Sequence, residues 1–373
     1  MRKTGIYKKL GNIEYFIPDP LPPQNPPFEM GVEVATLYGE VRGIIGELNA
    51  TAKHLPNAQR FIKAYVMKEA LLSSAIEGIH TTLLEVFTQP LLDSKPNKET
   101  QLVMNYTAAL ETAVAMIKEK NYPISSRVLL NAHKVLMEHG ENDKADPGNY
   151  RKQAVRVGNL IPPPAQEVPL LMSDLETYIN TDETLPPLIK AGLAHVQFET
   201  IHPFLDGNGR IGRLLIILML LENDLLETPI LYPSYYFKKR QAEYYQRLDG
   251  VRSAGDFEGW IIFYLQVMKE SCKDAYQRIL EIAALQQNLK QRIAESAVPR
   301  TKHDFHAQAL AIIFEYPIIT IKELSVQLDT AYNTASRIIN DFIDMGILIE
   351  VGEQKRGKLF KFKPYFDILE KEF

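Results

Sequence analysis

Apolar residues recur at every third or fourth position over most of the chain, the spacing that gathers them on one face of an α-helix. One such face is formed by Phe61, Tyr65, Leu72 and Ile76. Gly78 follows this face and predicts the end of its helix, because glycine accepts the left-handed conformation that closes a helix. The same spacing predicts further helices at 102–118, 126–138, 170–181, 187–200, 214–221, 238–254 and 256–295. The segment 214–221 is apolar on every side, so we expect it in the centre of a core.

Two segments interrupt the helical pattern in the first half of the chain. Residues 17–27 hold six prolines. Because proline fixes φ and lacks an amide donor, we expect residues 1–28 to form an extended arm. Strand-like residues from 154 onward, the turn-forming Gly158 and the three prolines at 162–164 predict a short exposed hairpin.

The part of the chain after Pro299 follows a different order of elements. Helical patterns at 321–328 and 333–345 are separated by a short turn, and strand-like segments at 346–351 and 358–362 come after them. This order predicts a winged helix. Five of the nine basic residues of 301–373 lie in the predicted wing: Lys355, Arg356, Lys358, Lys361 and Lys363. DNA binding through the wing is one alternative for this region, and a packing or homodimerisation module is the other.

Composition and charge limit the class of protein. A chain of 373 residues, of which 46% are hydrophobic, is long enough for two or three globular domains. Its formal net charge of −4 gives no chain-wide field that would favour nucleic acid or a membrane. The longest apolar run is too short for a membrane span, and the single cysteine, Cys272, excludes an internal disulfide. We therefore expect a cytoplasmic protein without a signal peptide or membrane segment.

The segment 202–213, His-Pro-Phe-Leu-Asp-Gly-Asn-Gly-Arg-Ile-Gly-Arg, concentrates groups that bind phosphate. Gly207 and Gly209 let backbone amides converge where the apolar helix begins, and such amides form an anion site. Arg210 and Arg213 share a face of the first turn, where the positive end of the helix dipole disfavours cations. We therefore expect a polyphosphate to bind there and to compensate for both arginines.

Two other residues of this segment suit catalysis. Asp206 offers a hard oxygen ligand beside the anion site, and Mg²⁺ is usually held by one or two carboxylates together with phosphate oxygens. We therefore predict that Asp206 binds Mg²⁺ or Mn²⁺. His202 lies on the loop just before it, and the unperturbed pKa of histidine suits a general base near neutral pH.

The segment resembles the signature of the Fic (filamentation induced by cAMP) family, His-Pro-Phe-x-(Asp/Glu)-Gly-Asn-Gly-Arg-x-x-Arg, and matches it at every defined position. The resemblance implies a protein adenylyltransferase, which transfers AMP from ATP to a tyrosine, serine or threonine hydroxyl of a target protein and to itself. It also implies His202 as the base, Asp206 as the metal ligand, Gly207, Asn208, Gly209 and Arg210 as the cradle of the α- and β-phosphates, and Arg213 at the γ-phosphate. Doc-type relatives, which transfer phosphate, carry lysine at the second glycine, so Gly209 favours nucleotide transfer.

The resemblance extends to the surroundings of the site and implies a mostly α-helical fold, with a helical core and a β-hairpin flap. Residues 155–164 resemble the flap, whose exposed edge takes a segment of the target protein as an added strand. Val157 and Gly158 would contact the nucleotide. Tyr244 and Tyr245 resemble residues of the adenosine-binding helix, and the alternative for both is a place as plain core aromatics.

The end of the first predicted helix carries a second pattern. Ser73 and Glu77 are four residues apart and share a face. Glu77 lies at the negative end of the helix dipole, where a carboxylate needs a cationic partner. Together with Gly78, the two residues resemble the family's inhibitory helix, (Ser/Thr)-x-x-x-Glu-(Gly/Asn). The resemblance implies that Glu77 pairs with Arg213 of the same chain and blocks the γ-phosphate site.

These patterns divide the chain into four predicted parts. They are the arm and N-terminal helices with the inhibitory helix at 1–100, the catalytic core at 101–270, a helical linker at 271–300 and the winged-helix domain at 301–373. Three other functions remain open from the sequence. They are transfer of another nucleotide, removal of AMP by the same site, and DNA-binding regulation with a secondary Fic activity.

Overall fold

The prediction of a mostly helical fold is confirmed by the structure, a computed structural model. It describes residues 2–53, 58–92, 95–138, 146–181, 183–296, 299, 303–352 and 357–371, with backbone alone at 58–62, so the side chain of Phe61 lies outside the described residues. The helices are α1 (Val32–Ala52), α2 (Ala58–Ile76), α3 (Leu83–Thr88), α4 (Lys98–Lys118), α5 (Ser126–Leu136), α6 (Val168–Thr181), α7 (Pro187–Ile201), α8 (Asn208–Glu222), α9 (Ser234–Lys239), α10 (Gln241–Ala254), α11 (Phe257–Glu295), α12 (His303–Glu315), α13 (Ile321–Gln327), α14 (Tyr332–Asp344) and α15 (Lys363–Glu370). The strands are β1 (Gly5–Leu10), β2 (Ile13–Pro18), β3 (Ile318–Thr320), β4 (Leu348–Val351) and β5 (Leu359–Phe362).

The two helices at the centre of the core are α7 and α8. Every residue of α7 after its first is buried, and α8 buries all of its residues except Gly209 and Glu222. Helices α2, α4 and α5 pack around α8, while α10 and α11 pack against α7. The expectation for 214–221 is therefore confirmed, and the loop that joins the two buried helices has both ends fixed by the core. In the described part of the chain, no helix combines the length and apolar character that a membrane span requires.

The N-terminal region differs from the extended arm predicted for residues 1–28. Strands β1 and β2 form an antiparallel hairpin, and only residues 19–28 follow as a proline-rich strap. The prolines begin at the last residue of β2, so residues 13–17 keep the amide donors that a strand needs for pairing. Phe16 of β2 donates its amide to the carbonyl of Ile161 at 2.9 Å. This hydrogen bond places the hairpin directly beside the predicted flap.

The predicted flap is a tight turn, smaller than the hairpin expected from the sequence. Val157 and Leu160 exchange two backbone hydrogen bonds of 2.9 Å, and Gly158 between them has a positive φ of 56°. The prolines at 162–164 lack amide donors, so the pairing ends at Leu160.

The C-terminal part contains the predicted helix pair and strands in the predicted order. Helices α12, α13 and α14 and strand β3 are followed by β4 and β5, and the antiparallel sheet has the order β3-β5-β4. Thr320 and Glu323 form a capping box at the start of α13. The tip between β4 and β5, with Lys355 and Arg356, lies outside the described residues. The winged-helix assignment of this part stays a prediction.

The last helix attaches the C-terminal part to α2 and α11. Lys68 of α2 donates to the carbonyl of Leu369 at 2.7 Å. Arg278 of α11 donates to two carbonyls at and just beyond the end of α15. The segment 271–300, predicted as a linker, consists mostly of the second half of α11, which buries one face against its neighbours.

Candidate active site

The loop between α7 and α8 is held in one conformation by two left-handed residues and a side-chain lock. His202 ends α7 with φ 51°, and Gly207 precedes α8 with φ 78°. The side chain of Asn208 accepts a hydrogen bond from the amide of Phe204 at 2.8 Å and donates one to its carbonyl at 2.9 Å. Asn208 was predicted in the phosphate cradle, and its side chain is used inside the loop. Its backbone amide, in the first turn of α8, has no acceptor within the helix.

His133, which the sequence analysis missed, supports this loop through contacts with Phe204 and Asp206. The ring of His133 stacks on Phe204 with centroids 3.7 Å apart. Its Nδ1 accepts the amide of Gly148 at 3.0 Å, and its Nε2 donates to the carbonyl of Asp206 at 3.1 Å. Burial lowers the pKa of His133 to about 4, so the ring stays neutral and keeps this tautomer.

His202 is available to accept a proton at neutral pH. Burial, and after it the charge of Arg252, lower the pKa of His202 to about 4. Its Nδ1 is buried and finds no hydrogen-bond partner among the described residues. The imidazole is therefore neutral over the whole physiological range, as a general base must be.

Arg210 is a buried cation with unused donors. Its side chain is 3% exposed, and the nearest carboxylate oxygen, of Asp206, lies 3.7 Å from Nη2. Nε and Nη1 have no hydrogen-bond partner in the described part of the chain. Burying such donors without partners is unfavourable, so the two unpaired donors of Arg210 are available to an anion at the start of α8.

Asp206 is the candidate metal ligand of the site. Its side chain is 48% exposed, and one carboxylate oxygen accepts the amide of Gly207 at 2.6 Å. Within the described ranges, no cluster of three or more His, Cys, Asp or Glu side chains could hold a metal. The donor set fits Mg²⁺ bound together with phosphate oxygens and water, which needs only one or two carboxylates.

The second arginine of the segment is bound by the end of α2 through its Nε and Nη2 atoms. Arg213, 1% exposed, forms an ion pair of 2.7 Å with Glu77. Its Nε donates to Ser73 Oγ at 2.8 Å and its Nη2 to the Ser73 carbonyl at 2.9 Å. Burial raises the pKa of Glu77, but Arg213 outweighs this effect and holds the pKa below its usual value. Gly78 has a φ of 80° and closes the helix end.

Gly209 allows Glu77 to take this place. A Cβ atom at position 209 would lie 2.3 Å from Glu77 Oε1. Any side chain there would therefore push the carboxylate away from Arg213. The glycine that was predicted for the phosphate cradle is also the contact surface of the glutamate.

Glu69 extends the polar face of α2 and was missed by the sequence analysis. It precedes Ser73 by one helical turn, as Ser73 precedes Glu77, so the three side chains share one face. Ser234 donates to the Glu69 carboxylate from both its amide, at 3.2 Å, and its hydroxyl. Burial raises the pKa of Glu69 to about 7. The regular spacing by four was the signal that could have identified it.

The two neighbouring tyrosines of α10 have different environments. Tyr244 is 1% exposed, and its hydroxyl lies 2.8 Å from Nε2 of the buried His195. It therefore takes the alternative role of a core aromatic, and a contact with a nucleotide base is disfavoured. Tyr245 is 44% exposed, so it is the member of the pair that is accessible to a ligand. Val157 and Gly158, the other predicted nucleotide contacts, lie in the flap turn.

Comparison with known proteins gives matches over most of the chain. A model described as Fic/DOC family N-terminal matches residues 36–115, and one described as Fic/DOC family matches residues 123–220. Protein adenylyltransferase Fic of Drosophila erecta is 30% identical over 221 residues, 57% of this chain and 43% of the relative. The protein of the same name from Culex quinquefasciatus is 29% identical over 228 residues, 60% of this chain and 43% of the relative. The chain thus spans less than half the length of these curated relatives.

Solved structures show the same fold. A Fic family protein from Desulfovibrio desulfuricans G20 superposes with a TM-score of 0.58 at 23% identity, over 91% of this chain and 98% of that chain. Fic-1 from C. elegans superposes with a TM-score of 0.53 at 22% identity, over 68% of this chain and 74% of that chain.

Proposed function

The chain belongs to the Fic/DOC family, and from this premise we propose that it is a protein adenylyltransferase, which transfers AMP from ATP to a hydroxyl group of a target protein and of itself. The observation that carries the proposal is the buried guanidinium of Arg210 with its open donors. It lies in the first turn of α8, where the outward amides and the helix dipole favour phosphate. The neutral His202 ends the preceding helix on the same loop.

In the proposed reaction, His202 removes the proton of the attacking hydroxyl. The hydroxyl oxygen forms a bond to the α-phosphorus, the bond to the bridging oxygen breaks, and pyrophosphate leaves with the electron pair. The amides of residues 208–210 and the guanidinium of Arg210 stabilise the charge that builds on the phosphate oxygens. A Mg²⁺ or Mn²⁺ ion at Asp206 would neutralise phosphate charge when bound. Little other chemistry is required, because alignment is most of what such a transfer needs.

The resting protein is held back by Glu77 in this account. The γ-phosphate of ATP and the Glu77 carboxylate compete for the same guanidinium, that of Arg213. With Arg213 occupied, ATP enters with its phosphates out of line with the attacking hydroxyl. The supporting contacts are the 2.7 Å ion pair and the close approach of Glu77 to Gly209.

Target docking is proposed at the flap. The hydrogen bond from Phe16 to Ile161 occupies one side of residues 155–164. A target segment would therefore add to the edge that β2 leaves open, with its hydroxyl directed towards His202. The four-part division of the chain, with the inhibitory helix before the catalytic core, is part of the same proposal.

Labelled ATP tests the reaction class. Because the wild type is restrained, the experiment uses the Glu77→Gly protein with Mg²⁺. Label at the α-phosphorus should stay on the protein, and label at the γ-phosphorus should leave with pyrophosphate. Retention of the γ-label would instead indicate phosphate transfer. If an excess of unlabelled GTP, CTP or UTP suppressed labelling as strongly as an excess of unlabelled ATP, transfer of another nucleotide would be favoured. If the protein lost its label after ATP was removed, removal of AMP by the same site would be favoured.

The DNA-binding alternative makes a separate prediction about the wing. It requires that replacing Lys355, Arg356 and Lys358 by alanine weakens DNA binding and flattens its salt dependence. Lys358 already pairs with Glu350 at 2.9 Å, so its contribution to a phosphate contact should be small. Retention on immobilised duplex DNA at low salt measures this, and a wild-type protein that is not retained would rule the alternative out.

A further inference from the structure

The C-terminal end of α7 is bound by two arginines from outside the helix. Arg151 donates to the carbonyls of His202 at 2.8 Å and Ile201 at 3.3 Å. Arg252 of α10 donates to the carbonyl of Glu199 at 3.2 Å. These carbonyls lie in the last turn, where a helix leaves its acceptors without amide partners and where its dipole favours cations.

Arg151 also joins this helix end to the flap. Its guanidinium donates to the carbonyl of Pro163 at 2.6 Å and to that of Gln153 at 3.1 Å. Its own amide donates to the Pro203 carbonyl at 2.9 Å. The side chain is buried, no carboxylate pairs with it in the described ranges, and the acceptors that its guanidinium reaches there are backbone carbonyl oxygens. Burial lowers the pKa of Arg151 to about 10, and the guanidinium stays charged at neutral pH.

Arg252 is the second member of the pair and has one ionic partner. Its Nε donates to the hydroxyl of Thr200 at 3.1 Å, and its Nη1 pairs with the exposed Asp249 at 3.1 Å. The arginine side chain is only 8% exposed. It therefore binds two consecutive residues of α7, Glu199 and Thr200, just before the histidine.

We propose that Arg151 and Arg252 form an arginine clamp, which positions His202 in its left-handed conformation and keeps its imidazole uncharged so that it can act as the base. The clamp rests on the proposed role of His202. In this account the two arginines are positioning residues, because they act through the histidine and its helix. Arg151 also links the flap to the base, because its guanidinium binds the carbonyls of both Pro163 and His202.

The charges around His202 support the second part of the proposal. Arg252 from α10 and Arg151 from the flap side lower its pKa, whereas Glu77 from the end of α2 and the nearby carbonyl of Glu199 raise it. The Glu199 carboxyl on the same helix is buried, which raises its pKa to about 7, so it is mostly protonated and supplies little opposing charge in the acidic range where His202 titrates. Removing the Arg252 charge should therefore raise the pKa of His202.

The test is a histidine NMR titration of the full chain with isotope-labelled histidine, in which His202→Ala assigns the signal. With a pKa of about 4, roughly a tenth of His202 is protonated at pH 5 in the wild type. In Arg252→Gln, a rise of about one unit would make this roughly half. Arg247→Gln, on the same helix but half-exposed, is the matched control and should leave the titration unchanged. A folded Arg252→Gln protein with the wild-type midpoint would overturn the clamp.

A lysine at either clamp position separates charge from geometry. Arg252→Lys and Arg151→Lys keep the charge but cannot bridge the same acceptors. We expect a wild-type His202 titration and AMP transfer lowered by roughly tenfold at every pH, measured in the Glu77→Gly background. Unchanged transfer in both lysine variants would overturn the positioning role, even if Arg252→Gln did not fold. The NMR titration needs no turnover, so a protein without adenylyltransferase activity would refute the proposed function and leave the test of the clamp intact.

Discussion

Glu77→Gly is expected to raise AMP transfer by at least roughly tenfold, because in-line alignment of the phosphates is worth orders of magnitude in rate. The carboxylate that this change removes lies 2.7 Å from Arg213 and against Gly209. Without it, Arg213 keeps its two contacts with Ser73 and has donor capacity for the γ-phosphate. Self-modification with ATP and Mg²⁺ measures the change.

Three variants control this result. Glu77→Gln keeps the size of the side chain but removes its charge, so we expect a rate between those of the wild type and Glu77→Gly. Arg213→Ala should not raise AMP transfer, because it removes the ligand of the γ-phosphate together with the ion pair to Glu77. The double variant should therefore resemble Arg213→Ala alone. If Glu77→Gly transferred AMP no faster than the wild type, Glu77 would be an ordinary helix-end residue and the inhibitory account would be wrong.

His202→Ala, made in the Glu77→Gly background, is expected to lower transfer by roughly 10²- to 10⁴-fold, the usual loss when a general base is removed. ATP affinity should change little, because the first-turn amides of α8 and Arg210 form a separate set of contacts. Quenched-flow or steady-state labelling measures the rate, and calorimetry measures ATP binding. The matched control is His80→Ala, at an exposed histidine with no assigned role in the reaction, which should transfer at the parent rate.

Two outcomes would contradict the assigned base. Near-normal transfer by His202→Ala would mean that another group removes the proton. Loss of ATP binding in parallel with transfer would mean that His202 contributes to the cradle, and the separation of base and phosphate site would be wrong.

The loop and helix start at the centre of the site could be predicted because the pattern that indicates them lies within one short segment of the sequence. Two glycines before an apolar run indicate a turn that opens a buried helix, and the structure has this arrangement at Gly207 and α8. Elementary electrostatics predicts only that Glu77, at a helix end that disfavours it, needs a cationic partner; the family resemblance identified Arg213 as that partner, and the structure pairs the two at 2.7 Å. Opposite charges at such places need partners, and here each is the partner of the other.

Other features depend on contacts that no local pattern encodes. Tyr244 and Tyr245 are adjacent on a helix and equally aromatic, so only the packing of α7 and α10 decides which one is buried. Arg151 and Arg252 reach α7 from positions about fifty residues before and after it. Nothing in their own surroundings marks them as buried, so the clamp could be recognised only in three dimensions.

The N-terminal hairpin was missed for a different reason. Prolines dominate the composition of residues 17–27, and β2 gives no alternating signal of its own, because the adjacent Tyr15 and Phe16 are both buried. Proline fixes its own φ and disfavours the helical conformation of the residue before it. It says little about a strand that ends at the first proline of the run.

Restraint of a His202-dependent AMP transfer by Glu77 is tested most directly by the intact mass of four proteins after incubation with ATP and Mg²⁺: the wild type, Glu77→Gly, Glu77→Gly with His202→Ala, and Glu77→Gly with Arg213→Ala. We predict that Glu77→Gly gains the mass of one or more AMP groups, that the wild type gains far less, and that both double variants stay near the unmodified mass. Equal modification of the wild type and Glu77→Gly, or a gain of AMP by the variant without His202, would contradict it.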